Sequence, residues 1–291
     1  MRVPNLVNSE SREDLKKALA GWLSHEGYPL EMLTARTFLR SGFGVRQGWH
    51  YDDPETGKHR EQDVLATQQI HQGNILVFQV IVECKRSIRP FVAFTYGPQF
   101  SKRLGESWNP VNPLGRELLR RLKSEGIFDR IPLYEESSPV AYSVVQAAIA
   151  MRNEKRSPGH GVDAAYDAIM TVVKASYSLS QLYSEKVRTI PTAPGSEEHA
   201  PVAYLGVPLL VVDAPLFECY LDDENEPALN PVDELIVEWS YPAVGNLTLK
   251  LVTMRVLDDW VRKAWTSVGI LNSEARGILS SLRSPPHFAS A

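Results

Sequence analysis

The stretch Ile75-Leu76-Val77-Phe78-Gln79-Val80-Ile81-Val82-Glu83-Cys84-Lys85 decides the fold. From Ile75 to Val82 it is apolar except for Gln79 and rich in β-branched side chains. That composition suits a strand in the middle of a sheet, covered on both faces. Alternation puts Leu76, Phe78, Val80, Val82 and Cys84 on one face, and Ile75, Val77, Gln79, Ile81, Glu83 and Lys85 on the other. Burying a charge costs several kcal/mol unless it is paired or holds a metal. A Glu and a Lys closing such a strand therefore need a reason.

On the N-terminal side, Ser11-Arg12-Glu13-Asp14 opens a helix that runs to about His25. Pro29 starts a second helix, with Leu30, Leu33, Thr34, Thr37 and Phe38 as its inward stripe, ending at Ser41-Gly42. Phe43 to Asp52 reads as a strand with Val45, Gln47, Trp49 and Tyr51 on one face. Asp53-Pro54-Glu55-Thr56-Gly57-Lys58 is a turn by composition, and His59 to Thr67 completes a hairpin.

On the C-terminal side, an amphipathic helix is expected from Pro113 to Ser124. A buried helix is expected from Val140 to Met151, entered at Ser138-Pro139, and a long one from Val162 to Tyr183. Arg152 to His160 and Lys186 to Ala200 read as loops. Val207 to Val212, Leu216 to Leu221, Glu234 to Trp239 and Leu247 to Val256 read as strands. Asp258 to Ser267 and Ser273 to Leu282 read as two helices. The expected fold is α/β: a mixed central β-sheet flanked by helices, in one domain. Its core spans about 28–213, with the third strand beside the Val207 strand across a right-handed helical crossover, and a β-rich C-terminal extension spans about 214–291.

The totals agree with a soluble chain. It has 291 residues, 43% hydrophobic and 23% charged, enough for a sizeable core. No apolar run approaches the roughly 20 residues that span a bilayer, and Met1 to Glu10 lacks a signal-peptide core. Cys84 and Cys219 form neither a disulfide framework nor a metal-ligand spacing, so a reducing, cytoplasmic setting is expected. The net charge of −4 gives no global basic field and counts mildly against nucleic acid as a partner, without excluding a local basic groove around an acidic metal site.

Asp63 stands where the second strand enters the core, with Glu61 two residues before it. If the second and third strands pair, Asp63 and Glu83 come close. Two such carboxylates repel unless a cation bridges them. Oxygen ligands suit Mg²⁺ or Mn²⁺, and Lys85 can orient or deprotonate a bound water or stabilise charge on a phosphate. Glu31, in the second helix, is open to two roles: a further carboxylate for the site, or an exposed helix position. Asp63 could instead cap a turn or pair with Arg60, and Glu61 could be an ion-pair partner or a ligand.

A helix Glu, a hairpin, an Asp and then Glu-x-Lys on the next strand resembles the restriction-endonuclease-like nucleases, the PD-(D/E)XK superfamily. The matching residues are Glu31, Asp63, Glu83 and Lys85. Gly42-Phe43-Gly44-Val45, Asp53 to Val64 and Val82-Glu83-Cys84-Lys85 look like the core of bacterial members, over about residues 28 to 87. The Pro that often precedes the family's Asp is replaced here by Gln62. The resemblance implies a Mg²⁺- or Mn²⁺-dependent nuclease with metal ligands Asp63, Glu83 and Glu31. It implies DNA more than RNA as substrate, acted on in bacterial defence or DNA processing, with a homodimer or a partner protein open. The alternative is an inactive nucleic-acid or protein interaction module of a larger system.

Other residues carry weaker signals. Arg116, Arg120, Arg121 and Lys123 make a basic helix face, either solvated or contacting phosphate. Phe91, Phe94, Tyr96 and Trp108 could stack on bases or anchor the core. His50 and His59 read as surface residues and Gln146 as a core amide that could support the site. Gly42-Phe43-Gly44 lacks the Gly-Lys-Ser/Thr of a phosphate loop.

Overall fold

The computed structural model describes residues 9–25, 27–72, 74–104, 111–135, 137–148, 163–186, 189–191, 199–242 and 245–281. Helices α1 (Ser9–His25) and α2 (Tyr28–Arg40) lead into a meander of β1 (Gly44–Asp52), β2 (His59–Gln72) and β3 (Asn74–Arg86). Next come β4 (Phe91–Thr95), β5 (Ser101–Arg103), α3 (Pro113–Ser124), α4 (Pro132–Glu135), β6 (Ser137–Gln146) and α5 (Ala164–Gln181). The chain continues through β7 (Thr189–Pro191), β8 (His199–Asp213), β9 (Leu216–Leu221), β10 (Pro227–Pro231), β11 (Glu234–Tyr241) and β12 (Gly245–Thr253) to α6 (Leu257–Ser281).

The strands form one mixed twelve-stranded sheet in the order β1-β2-β3-β8-β12-β11-β6-β4-β9-β10, with β5 beside β6 and β7 beside β8. β3 lies parallel to β8 from Ile75↔Val202 to Arg86↔Asp213, and β8 lies parallel to β12. The strands after residue 213 are thus part of the same sheet. The connection from β3 to β8 carries strands as well as helices, because β4 and β6 cross to the far half of the sheet.

Each face of the sheet has its own core. Leu76, Phe78, Val80, Val82 and Cys84 of β3 pack with apolar residues of α2, α3, α4 and α6. Ile75, Val77 and Ile81 pack with Ala165, Ile169, Val172 and Leu179 of α5. This three-layer arrangement explains why β3 is apolar on both faces. Among the described residues no helix is long and apolar enough to cross a membrane.

Four expectations need correction. The apolar run from Val140 is strand β6, not a helix: Val140 faces the layer of α2, α3, α4 and α6, while Ala141 and Val144 face α5. A continuous apolar run fits a doubly covered strand as well as a buried helix; residues 149–151 lie outside those described. The two C-terminal helices are one, α6, because Val261, Ala264, Val268 and Leu271 keep a single buried stripe. Val45 and Trp49 do not share a face, since Val45 packs on the α2 side and Trp49 with Tyr51 on the α5 side. Gly48, with φ +59°, lies between them and turns the strand over. Leu33, expected in the inward stripe of α2, is instead exposed.

α3 is seated against β8 by two close approaches. Its N-cap Asn112 accepts from the Gly115 and Tyr204 amides and donates to the Val202 carbonyl at 2.7 Å. Gly115 sits so close to β8 that a Cβ there would fall 2.2 Å from the Tyr204 carbonyl oxygen.

Candidate active site

The hairpin that carries Asp63 is anchored at its tip. Asp53 is buried and accepts from the Glu55 and Thr56 amides in an Asx turn. Lys174 of α5 reaches both Asp53 (3.1 Å) and Glu55 (2.6 Å). Arg60 stands 3.7 Å from Asp53, so the ion pair weighed for Asp63 goes to Asp53 instead.

Asp63 lies at a gap in both ladders. On one side the β1–β2 register runs from Gly44↔Thr67 to Gln47↔Val64 and resumes at Trp49↔Gln62, skipping Gly48 opposite Asp63. On the other, the β2–β3 ladder ends at Val64↔Val82. Beyond that point side chains of β2 replace its backbone. Asp63 Oδ2 accepts the Cys84 amide at 2.7 Å, and Gln62 Nε2 donates to the Val82 carbonyl at 2.6 Å and to Glu83 Oε2 at 3.1 Å. The polar groups of β3 stay satisfied while its end separates from β2.

Cys84 turns to α2, where its thiol meets the Thr34 hydroxyl at 3.6 Å. Alternation turns Glu83 and Lys85 to the other side of β3. Glu31 approaches from α2, and Asp63, bonded to a backbone amide, stands between the two sides. Its charge reaches both. Burial, then Asp63, then Glu61 push the Glu31 carboxyl up to about 7. Burial, then the Asp63 charge, push Glu83 well above the usual carboxylate range, opposed by Lys85. Asp63 is itself raised by burial, against the pull of the Cys84 amide and Lys85.

Among the described residues no three His, Cys, Asp or Glu side chains stand gathered around one point as a metal cage. Asp63 and Glu83 are each held by a different donor. The acids nevertheless crowd three carboxyls against one lysine, which fits an oxygen-liganded divalent cation. Gln62 adds to that fit. It is fully buried and its Oε1 has no hydrogen-bond partner, leaving an acceptor beside Glu83. Sequence reading marked Gln62 only as the residue standing in place of Pro, and passed over Gly48. A glycine inside an alternating strand was the available signal.

The remaining candidates fall elsewhere. Arg120 and Arg121 of the basic face of α3 bind Glu117, Arg120 through two nitrogens. His59 pairs with Asp52 at 2.7 Å on the hairpin, and His50 is exposed. Gln146, at the end of β6, donates to Ser87 Oγ at 2.6 Å, two residues past Lys85. Phe91 is core, Phe94 and Tyr96 pack around Tyr142, and Trp108 lies outside the described residues. No known family model, curated protein or solved structure matches the chain.

Proposed function

We propose that the chain is a metal-dependent nuclease with a restriction-endonuclease-like core, hydrolysing phosphodiester bonds of nucleic acid, DNA rather than RNA. The observation that carries the reading is that the Cys84 amide holds Asp63 at 2.7 Å on the end of β3 that bears Glu83 and Lys85, and that burial and then the Asp63 charge raise both Glu31 and Glu83. Three carboxyls crowded beside one lysine, each raised above its ordinary value by burial, are eased by a cation among them.

Asp63 and Glu83, joined by Glu31, would hold Mg²⁺ or Mn²⁺. The bound ion would supply Lewis acidity and a water of lowered pKa. Lys85 places its ammonium beside the acids, where it can orient the attacking water and offset charge gathering on phosphoryl oxygens. Gln62 fixes one oxygen of Glu83 by a hydrogen bond at 3.1 Å. The test replaces Lys85 with Ala and follows Mg²⁺-dependent cleavage of plasmid, linear DNA and RNA. A loss of about 10²–10³-fold in rate is expected; undiminished cleavage rejects the assignment.

A second reading, an inactive interaction module, draws support from the separation of the acids, which are not gathered into a cage. Calorimetric titration with Mn²⁺ discriminates. A binding heat lost in Asp63→Asn favours the enzyme, and no binding favours the module.

A further inference from the structure

Strands β3, β8 and β12 run parallel and end together; the chain leaves β3 and β8 for the adjacent strands β4 and β9, and β12 for α6. Their carboxyl ends bound a cleft of about 570 Å³. Crevices at the carboxyl ends of parallel strands are where α/β sheets bind ligands, and the volume is that of a small-molecule pocket. One wall carries the Arg86–Asp213 ion pair at 3.2 Å, the other the Arg255–Asp233 pair. Between them the lining is apolar, with Leu216, Phe217, Val232 and Met254.

The chemistry of this lining narrows the ligand. Each guanidinium faces its own carboxylate, so the cleft is charge-balanced and favours neither a phosphate nor a cation. It offers apolar walls for a flat body, with donors and acceptors at its two edges. An uncharged ring with apolar faces and a mixed donor–acceptor edge matches that description, and nucleobases have this form. The position matters as well. Lys85 is paired in register with Val212 and Arg86 with Asp213, so the cleft wall begins one residue beyond Lys85.

We propose that this cleft takes an unpaired nucleobase of the strand whose backbone passes Lys85. The inference rests on the nuclease reading and adds the form of the substrate: a single strand, or a duplex with a base turned out of the stack. Unstacking a paired base costs a few kcal/mol, so an unpaired base is favoured.

The test uses the full chain with Ca²⁺ in place of Mg²⁺ and follows anisotropy of fluorescent oligonucleotides. The probes are a single strand, the same strand with one abasic position moved along it, and the matching duplex. Two variants perturb the cleft and leave the acids and Lys85 in place: Ala214→Trp, which fills its mouth from the β8–β9 loop, and Phe217→Ala, which removes a wall. Each is checked by circular dichroism and thermal melting against the unmodified chain.

The single strand should bind about tenfold more tightly than the duplex, and one abasic position should cost about tenfold. Both variants should bind intact and abasic strands alike. Equal affinity for intact and abasic strands at every position, or base discrimination unchanged in both variants, overturns the proposal. Competition by a deoxynucleoside monophosphate as effective as the oligonucleotide moves the site to free nucleotides and overturns the strand reading. Cleavage lost in Lys85→Ala without base discrimination leaves the nuclease standing and this inference fallen. Base discrimination without any cleavage does the reverse.

Discussion

The Asp63 carboxylate accepts the Cys84 backbone amide at 2.7 Å, bridging β2 and β3 where their ladder has already stopped. The bond holds a charged oxygen at the strand seam, and Asp63 is the strongest charge acting on both Glu31 and Glu83. Asp63→Asn separates the two roles. The amide oxygen still accepts from Cys84, while the charge is gone. Cleavage should fall about 10²–10³-fold, and the Glu31 carboxyl should titrate nearer its ordinary value. Metal-free stability should be unchanged or higher, because a like charge has been removed. Carboxyl carbon NMR and denaturant melts measure these effects; a variant that is less stable and leaves Glu31 unmoved contradicts the account.

The same acids set a pH dependence. Glu31, Asp63 and Glu83 all have raised folded pKa values. A raised carboxyl binds protons more tightly folded than unfolded. Its stabilising contribution is complete below the unfolded value, 4.5 for Glu31, and is lost as pH rises through the folded value of about 7. The metal-free protein should therefore melt lower at pH 8 than at pH 5. Mn²⁺ at about 100 times its dissociation constant should raise the melting temperature at pH 8 by roughly 4–5 °C, and far less at pH 5. Equal increments at both pH values would remove the acids as the binding site.

Gly48 is the hinge that leaves Asp63 outside the β1–β2 ladder. Its φ is +59°, and a Cβ there would fall 3.0 Å from Glu61 Oε1. Gly48→Ala should cost roughly 1–2 kcal/mol for the left-handed conformation, and the Glu61 carboxylate must move. Gly57→Ala is the control. Its φ is +65° with open space around it, so it carries the conformational cost alone. Denaturant melts of both variants, with cleavage rates beside them, test whether the hinge serves the site. A rate lowered equally in both argues against a special role for Gly48.

Much of this arrangement is legible in the residues. The apolar stretch from Ile75 to Val82 can be covered on both faces only in a central strand, and β3 is one. The Asp53 to Lys58 composition allows little but a turn, and the hairpin registers Val64 opposite Val82, bringing Asp63 to Cys84. The Val140 run was not legible in the same way. An apolar stretch without polar punctuation satisfies a buried helix and a doubly covered strand equally, and only the neighbours β4 and β11 decide it. Gln62 escaped for another reason. A glutamine beside an acid has no distinctive pattern, and its importance lies in the Val82 carbonyl it satisfies, a partner twenty residues away in sequence.

Lys174 anchors the hairpin tip from α5, and its removal tests how firmly the site's second strand is held. Burial raises the Asp53 carboxyl, but the Glu55 and Thr56 amides and Lys174 outweigh it, so the folded value lies below the ordinary one. A lowered carboxyl stabilises the fold above its unfolded pKa, and that contribution disappears as pH falls through the folded value. Lys174→Met removes the ammonium and leaves a buried carboxylate with its two amide donors and the more distant Arg60, 3.7 Å away. A loss of about 1–3 kcal/mol is expected at pH 7, shrinking as the pH falls through the lowered folded value of Asp53 and the carboxyl takes up a proton. Asp53→Asn in the Lys174→Met background should recover part of that loss at pH 7, since Arg60 at 3.7 Å only partly offsets the buried charge. Urea melts of the four proteins of this cycle at pH 7 and pH 3.5 measure the coupling. Additive losses at pH 7 would mean that α5 and the hairpin tip are held by packing alone, with the ion pair a bystander.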